Sequence, residues 1–451
     1  TKYLFNPITF YHKKNSSVLL RNVMFETKNY GVVINILLKL IVEILIIFFI
    51  IGLIIYLEPK TSIVLCLVLI IFGLIFYFLT SKKIYFFGVE KVANTEKAIK
   101  VLSETFGGIR DIKLKSAEYH FLHPFKNFLS RFIKVSNYQQ AITDSPKILF
   151  EFILVLSLLV SLILYLRINE DVANYLSILG LYVVASFRLV PAVMRVLNML
   201  QTIRGLKASI DMLNNELGLD KKIDDTKKSK LDIGISFEDK IEFQNLSFSY
   251  NSKNFIFENF SHCIKKNQIT GISGKSGSGK STLIDLLTGL LSPTKGKIII
   301  DNKLELKNEN VNSWQKKIGY VSQNVFLLDA TLRQNIAFGV KEDLIDDNKI
   351  FDVLKYAELY DFVSKLDKKL DTQVGERGVK FSGGQIQRIG IARELYREPE
   401  LIIFDESTSA LDTNTENQII DCIKKFRGSV TTIIISHRDN ILKICDQIIK
   451  I

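Results

Sequence analysis

The sequence predicts an α-helical membrane domain followed by an α/β domain that binds a phosphate group. Three observations support this fold class. Long apolar segments occupy much of residues 1–216, charged and apolar residues are mixed after them, and a glycine-rich loop begins at Gly274. A chain of 451 residues has room for two or three domains. We therefore expect a membrane domain over 1–216, a linker over 217–234 and an α/β domain over 235–451.

Four segments are long and apolar enough to cross the ~30 Å hydrocarbon core of a bilayer. They are Val32–Leu57, Ser62–Thr80, Ile148–Leu166 and Leu176–Leu197. A buried core helix is the alternative interpretation of any one such segment. Four of them in series, paired by short turns, favour a membrane domain.

Lysine and arginine are concentrated in the long polar stretch from Ser81 to Lys147, between the second and third segments. The two short turns contain only Lys60 and Arg167. The positive-inside rule therefore places the long stretch in the cytoplasm, and an even number of spans returns the second domain to that side. We expect a multi-pass protein of the plasma (inner) membrane. Its net charge of +12 then fits membrane flanks and anionic lipid better than nucleic acid.

The cytoplasmic stretch is expected to be helical rather than a loose loop. Helix formers continue from Lys82 to Leu102, so the second membrane helix should extend well beyond the bilayer. A break is expected at Gly107 and Gly108, followed by the aromatic stretch SAEYHFLHPFKNF, which Pro124 should close. Two long helices capped by a short transverse helix would present aromatic side chains to another domain. An amphipathic surface hairpin is the alternative.

Charged residues inside membrane segments call for a partner or a function. Lys39 and Glu43 are four residues apart, so they can neutralise each other on one helix. Arg188 and Arg195 are seven apart and share a face, with Pro191 between them as an expected kink. Arg195 can reach the inner interface by snorkelling. Arg188 is deeper and is our candidate for binding an anionic transported molecule.

The glycine-rich loop has the spacing of a phosphate-binding loop. Gly274 to Ser281 reads GxxxxGKS between a predicted strand and a predicted helix, which indicates an α/β P-loop NTPase domain. Main-chain N–H groups of such a loop surround phosphates at the positive end of the helix. Lys280 can reach the β- and γ-phosphates, and Ser281 can ligate Mg²⁺.

An acidic pair follows an apolar stretch that reads as a buried parallel strand, Leu401–Phe404. Asp405 would emerge at the carboxyl end of this strand, where it can hold Mg²⁺, usually through water. Glu406 can orient or deprotonate the water that attacks the nucleotide. An ordinary helix cap is the alternative for Glu406.

The stretch FSGGQIQR presents a second anion-binding helix start, at Ser382, Gly383 and Gly384. One phosphate loop needs one nucleotide, so this helix start has no ligand of its own within a single chain. Two copies facing head to tail would give it one. Each copy's Ser382 would then close over the γ-phosphate held by Lys280 of the other copy.

Together these motifs resemble the ATP-binding-cassette (ABC) family, with phenylalanine in the commonly leucine first place of the signature. The resemblance rests on Gly274–Thr282 (Walker A), Gln323 (Q-loop), Phe381–Gln385 (signature), Asp405 and Glu406 (Walker B and catalytic glutamate), Asp412 (D-loop), His437 (switch histidine), Tyr250 (adenine stacking) and TQVGERG at Thr372–Gly378.

The resemblance implies roles for individual residues in ATP binding and hydrolysis. The implied nucleotide contacts are Tyr250, Gly274, Ser276, Gly277, Gly279, Lys280, Ser281 and Thr282, with Ser382, Gly383, Gly384, Gln385 and Asp412 closing the site. The implied catalytic residues are Glu406, His437, Gln323 and Lys280, and the implied Mg²⁺ ligands are Ser281, Gln323 and Asp405.

The membrane segments ahead of the cassette resemble those of exporter half-transporters, which have six spans per chain and work as dimers. Four spans are visible, and the opening NPITFYHKKNSSVLLRNVMFETKNY resembles the loop after the second span. We therefore expect the first two spans and the last cassette helices to be absent. GIRDIKLKSAEYHF resembles the second intracellular loop, which couples to the partner's cassette. Homodimer and heterodimer both remain open.

The transported molecule is suggested by similarity to flippases for lipid-linked oligosaccharides. GIRDIKL and FRLVPAVMRVLNMLQTIR carry this similarity, and Arg188 would meet the pyrophosphate. Peptide or protein export and drug or lipid export are alternatives. A DNA-repair or chromosome ATPase, or a soluble importer ATPase, would explain the cassette but not the spans. A purely regulatory cassette would not need Glu406 and His437.

Overall fold

The computed structural model describes residues 2–57, 59–168, 172–217, 235–251, 254–406 and 413–451. The chain forms two compact units, Thr1–Asp224 and Asp225–Ile451. The linker expected over 217–234 lies outside the described residues, apart from Leu217.

The first unit is helical throughout its described residues. Its α-helices are α1 (Ile8–Lys13), α2 (Ser16–Arg21), α3 (Thr27–Leu57), α4 (Pro59–Gly107), α5 (Ile109–Leu114), α6 (Glu118–Asp144), α7 (Pro146–Ile168) and α8 (Val172–Leu217). Among the described residues, three helical stretches are long and apolar enough to cross a membrane: Ser16–Leu57, Cys66–Gly107 and Gly180–Glu216. The predicted third span falls on α7, where nearly half of the side chains lie outside the description.

Helix α4 confirms the expected extension of the second membrane helix. Its 49 residues span roughly 70 Å at ~1.5 Å per residue, more than twice the bilayer core. It ends at Gly107, as expected, and the short helix α5 follows Gly108. The expectation that Pro124 closes the next element is wrong, because α6 continues through it. Proline removes one intrahelical N–H bond there, and the packing of α6 along α4 maintains the helix.

Helices α3 and α8 are joined by an ion pair that corrects two expectations. Arg195 donates to both carboxylate oxygens of Glu43, at 2.6 Å and 3.0 Å. Glu43 therefore pairs with a residue of another helix and not with Lys39. The Arg195 side chain binds this carboxylate, whereas we expected it to reach the membrane interface by snorkelling. The bidentate geometry fits the fork of a guanidinium group and fixes the register of the two helices.

Helices α4 and α8 also approach each other closely, at Gly88 and Gly205. A Cβ atom added to Gly88 would lie 2.0 Å from the main-chain oxygen of Gly205. Only glycine permits this spacing. The two helices are therefore in close contact at a point that follows their apolar segments in the chain.

The second unit is an α/β domain. Its strands are β1 (Lys240–Phe248), β2 (Phe257–Lys265), β3 (Ile269–Ser273), β4 (Lys295–Ile300), β5 (Leu304–Glu305), β6 (Ile318–Val321), β7 (Leu401–Asp405), β8 (Thr431–Ile435) and β9 (Gln447–Lys450). Its helices are α9 (Lys280–Leu287), α10 (Val311–Gln315), α11 (Leu332–Ile336), α12 (Asp347–Tyr356), α13 (Tyr360–Ser364), α14 (Gly383–Tyr396), α15 (Thr413–Lys424) and α16 (Asp439–Leu442).

The strands form two sheets, in the orders β2-β1-β4-β5 and β6-β7-β8-β3-β9. The alternating stretch KIEFQNLSFSY predicts an edge strand, and this prediction is wrong because strand β1 pairs antiparallel with both β2 and β4. Its alternating pattern arises because one face is buried, not because one side is unpaired. The apolar residues of DQIIKI predict a strand, and β9 is present there and pairs with β3.

The second sheet positions the candidate site because its described strand pairs are parallel. Strands β7 and β8 are buried along nearly their whole length, which explains their continuous apolar sequences. Parallel strands end at the same edge of a sheet. The residues that follow β6, β7, β8 and β3 therefore emerge side by side, where ligands bind in open α/β folds.

Candidate active site

The phosphate-binding loop connects β3 to α9, in the context that the sequence predicts. Two of its glycines have left-handed backbone angles, Gly277 with φ of +81° and Gly279 with φ of +102°. A Cβ atom at Gly279 would approach Ile256 to 2.6 Å, so a side chain there would strain both the backbone and the packing. The loop conformation thus depends on backbone positions that favour glycine.

Lys280 begins helix α9 and turns back into the loop. Its buried ammonium group donates to the main-chain oxygens of Gly274, at 2.9 Å, and Lys275, at 3.0 Å. These bonds keep the charge within the ring of the loop. Ser276 and Ser281 are exposed, whereas Thr282 is buried.

Tyr250 lies beside the same helix. Its hydroxyl is 3.5 Å from the Thr282 hydroxyl, and its ring packs edge-on against Phe248 with centroids 5.0 Å apart. Half of the Tyr250 surface is exposed. An exposed ring held next to a phosphate loop can stack on a nucleotide base.

Glu406 joins two other predicted residues. Its Oε2 accepts a hydrogen bond from the Gln323 amide at 3.2 Å, and its Oε1 lies 3.3 Å from His437 Nε2. The three residues follow β6, β7 and β8, which are adjacent strands, so the parallel sheet assembles them. Glu406 has φ of +43°, a conformation that costs a non-glycine residue energy and is typical of functional positions.

Asp405 ends β7, next to Glu406, and its carboxylate is hydrogen-bonded to a tyrosine that the sequence analysis missed. The Tyr320 hydroxyl donates to Asp405 Oδ2 at 2.7 Å. Burial and the nearby carboxylate raise the pKa of Tyr320, so the phenol stays protonated and acts as a donor.

Helix α14 begins at the predicted Ser-Gly-Gly step. Ser382 is the N-cap and forms a capping box with Gln385: the Gln385 N–H donates to Ser382 Oγ at 3.3 Å, and the Ser382 N–H donates to Gln385 Oε1 at 2.8 Å. Ser382 and Gly383 are exposed and Gly384 is buried. The helix therefore presents its N-terminus to the solvent.

Two side chains of α14 hold the segment that carries Gln323. The Gln387 amide donates to the main-chain oxygen of Gln323 at 2.7 Å, and Arg393 donates to the main-chain oxygen of Phe326, also at 2.7 Å. Hydrogen bonds thus connect the helix that begins at Ser382 to the segment that carries Gln323. Sequence reasoning missed Gln387, although it lies two residues after Gln385 in the same motif.

The remaining predicted residues lie apart from this cluster or outside the description. Asp412 lies outside the described residues. Arg188 lies on α8 in the first unit and is exposed. Among the described residues it has no ion-pair partner, in contrast to Arg195.

The residues present fit a Mg²⁺ ion that is shared with phosphate oxygens. Ser281 and Asp405 supply the hydroxyl and carboxylate oxygens that Mg²⁺ prefers, and Gln323 adds an amide oxygen. Within the described part of the chain there is no group of three or more His, Cys, Asp or Glu residues that could hold a metal. This donor set suits an ion that needs a nucleotide to complete its coordination.

Comparisons with known proteins identify chains that are similar to this one. Residues 257–409 match the ABC transporter family. The chain is 39% identical over 212 residues to ABC transporter B family member 17 of Arabidopsis thaliana, covering 47% of this chain and 17% of that protein. It is 38% identical over 210 residues to the uncharacterized ABC transporter ATP-binding protein y4gM of Sinorhizobium fredii, covering 47% and 35%. The matched part spans about a third or less of these relatives.

The comparison with solved structures extends over both units. The chain resembles a bacterial Atm1-family ABC exporter with ATP bound, with a TM-score of 0.80 at 23% identity. The likeness covers 99% of this chain and 78% of the other and establishes the fold. The predicted fold class, a helical exporter-type membrane domain fused to an α/β nucleotide-binding domain, is confirmed. Residues 257–409 therefore match the ABC transporter family, and the chain as a whole has the fold of an ABC exporter.

Proposed function

We propose that this chain hydrolyses ATP and uses the energy to export or flip a molecule across a membrane by alternating access. The observation that carries the proposal is the hydrogen-bonded cluster of Glu406, Gln323 and His437. It lies at the same sheet edge as the phosphate loop, because β3 follows β8 in the strand order. A carboxylate, an amide and an imidazole at this place are suited to activating water against a phosphate.

Each residue has a distinct role in the proposed hydrolysis. Glu406 orients the attacking water and accepts its proton. Gln323 and His437 fix the two carboxylate oxygens, and His437 can also donate to the γ-phosphate. Lys280 neutralises charge on the β- and γ-phosphates. Tyr250 stacks on the adenine ring, and the main-chain N–H groups of the loop and of Thr282 hold the phosphates.

Ser281, Asp405 and Gln323 are the residues that would hold Mg²⁺. When bound there, the ion supplies positive charge that neutralises the β- and γ-phosphates during transfer. Asp405 would offer its carboxylate to the ion and Ser281 its exposed hydroxyl.

The functional unit in this proposal is a dimer of half-transporters. Ser382 and Gly383 are exposed at the start of α14, and the helix dipole favours an anion at this position. The γ-phosphate bound by the partner's loop is that anion, and Asp412 is proposed to contact the same interface. Intact motifs allow a homodimer with two working sites; a heterodimer is the alternative. ATP then links the two copies.

In this proposal, transport follows from closure of the two cassettes. The intracellular segments transmit this movement to the membrane helices. We propose a multi-pass protein of the plasma (inner) membrane with the cassette in the cytoplasm. The proposed cargo is a lipid-linked oligosaccharide. Arg188 supports this class, because an exposed arginine without a carboxylate partner among the described residues can bind a pyrophosphate.

The test measures ATP hydrolysis by the protein in liposomes with candidate cargoes. We expect lipid-linked oligosaccharides with a pyrophosphate group to stimulate hydrolysis, and peptides or a neutral lipid of similar length to leave it at the basal rate. Stimulation by peptides or drugs alone would assign the protein to the corresponding export class. A hydrolysis rate that stays the same with every cargo would contradict the proposed transport. The absence of hydrolysis by the purified protein would contradict the proposed ATPase activity.

A further inference from the structure

Tyr320, whose surface is 40% exposed, is a hydrogen-bond partner of the carboxylate that ends β7. In the parallel register Tyr320 pairs with Ile403, two residues before Asp405 and on the same face of that strand. The side chains of Tyr320 and Asp405 therefore lie on the same face of the sheet. Its hydroxyl donates to Asp405 Oδ2 at 2.7 Å, within the range of a charge-assisted bond.

The main chain of Tyr320 is itself held by the helix that begins at Ser382. Strand β6 is the outer strand of its sheet, so its outward N–H groups need a partner beyond the sheet. The Tyr320 N–H donates to Glu394 Oε2, on α14, at 3.2 Å. The tyrosine is fixed at both ends, by a carboxylate of the signature helix and by the carboxylate at the site.

We propose that Tyr320 is a positioning residue for the divalent cation, acting through Asp405. Its hydroxyl occupies Oδ2 and fixes the rotamer of the carboxylate, so the second oxygen is left for a water ligand of Mg²⁺. This inference rests on the proposed function, since it assumes that Asp405 receives the cation. It extends that function by naming the residue that orients the aspartate and by connecting it to α14.

The effect is expected on binding of the cation and not on binding of the nucleotide. Partners that orient a metal ligand without touching the metal typically contribute about ten- to a hundredfold to metal affinity. Without the Tyr320 hydroxyl, the Asp405 side chain can adopt more rotamers. Binding of the cation then costs more conformational entropy. The ring remains in place in Tyr320→Phe, so the packing of β6 is retained.

The test titrates the full chain in detergent with the fluorescent analogue trinitrophenyl-ATP, once with Mg²⁺ and once with EDTA. The Mg²⁺ ratio, defined as the dissociation constant with EDTA divided by that with Mg²⁺, reports the contribution of the cation. We expect Tyr320→Phe to reduce this ratio by about tenfold, with the EDTA value unchanged. We expect Tyr320→His, which keeps a donor on an aromatic ring, to lose less of the ratio than Tyr320→Phe.

Tyr396→Phe is the matched control. The Tyr396 hydroxyl accepts a hydrogen bond from the Asp346 N–H at 3.0 Å, which is a structural contact of the same domain. Its removal should lower thermal stability and leave the Mg²⁺ ratio at the wild-type value. In the Asp405→Asn background, adding Tyr320→Phe should have no further effect on the ratio.

The outcomes separate this inference from the proposed function. An unchanged or larger Mg²⁺ ratio in Tyr320→Phe overturns the positioning role, and so does an equal loss in Tyr396→Phe. A wild-type chain that does not bind the analogue at all, or binds it equally with and without Mg²⁺, contradicts the proposed function itself.

Discussion

The Gln387 side-chain amide donates to the main-chain oxygen of Gln323 at 2.7 Å and thereby connects helix α14 to the cluster of Glu406, Gln323 and His437. Gln387 is buried, and the same Gln323 donates its side-chain amide to Glu406. Two hydrogen bonds therefore link α14 to the Glu406 carboxylate. In the proposed function, this connection couples the nucleotide contact at Ser382 to the activation of water by Glu406.

Breaking this connection should reduce turnover more than nucleotide binding. In Gln387→Leu the main-chain oxygen of Gln323 loses the hydrogen bond from the Gln387 amide, which costs about 0.5–1.5 kcal/mol of local stability. We expect kcat to fall about tenfold or more with the dissociation constant for ATP nearly unchanged. Gln418→Leu, at an exposed position on α15, is the control and should retain the wild-type kcat. Equal kcat values for both variants would contradict the coupling.

Replacing the proposed base should trap the nucleotide. In Glu406→Gln the amide can keep hydrogen bonds to its neighbours but cannot accept the proton, so kcat should fall by about a hundredfold or more. Retained ATP and a stable dimer should be visible by size-exclusion chromatography with labelled nucleotide. Glu400→Gln, whose carboxylate pairs with Lys317 away from the cluster, should hydrolyse normally. Turnover near the wild-type rate in Glu406→Gln would remove the assigned base.

The signature serine has a structural and a proposed functional role, and the chain contains a control that separates them. Thr331 caps α11 with the same capping box that Ser382 forms on α14. Ser382→Ala and Thr331→Ala should each lower stability by about 1 kcal/mol. Only Ser382→Ala and Ser382→Arg should reduce hydrolysis, and Ser382→Arg should abolish it while ATP still binds. A similar loss of hydrolysis in Thr331→Ala would assign the effect to folding.

The two arginines of α8 should respond differently to removal. Arg195→Ala leaves Glu43 without its bidentate partner, so we expect lower thermal stability in detergent. Arg188→Ala removes an exposed side chain, so stability should be unchanged while cargo-stimulated hydrolysis falls toward the basal rate. Thermal unfolding and liposome hydrolysis of both variants measure this contrast. A cargo response of wild-type size in Arg188→Ala would return that residue to a structural role.

The local motifs were predictable because each is encoded within a short stretch of chain. The phosphate loop, the buried strand before Asp405 and the long helix α4 all follow from glycine spacing or apolar periodicity. Pairings across the fold were not predictable in the same way. Glu43 and Arg195 are separated by 152 positions, and only the packing of α3 on α8 brings them together.

Two errors show where local patterns mislead. Alternation in β1 indicates one buried face, and it does not reveal whether both sides of the strand are paired. A proline favours a helix end, yet α6 continues through Pro124 because packing on α4 offsets one lost hydrogen bond. Tyr320 could have been found from the parallel register, since its partner Ile403 shares a face with Asp405.

The central claim is that each nucleotide is enclosed by the phosphate loop of one copy and the signature helix of the other. The most direct measurement is hydrolysis by mixed dimers of two inactive variants, Lys280→Ala and Ser382→Arg, purified through two different tags. Such a dimer contains one intact site and one site with both defects. The account predicts a rate of up to about half that of the wild type, with both parent homodimers inactive. A mixed dimer no more active than its parents would contradict the shared site.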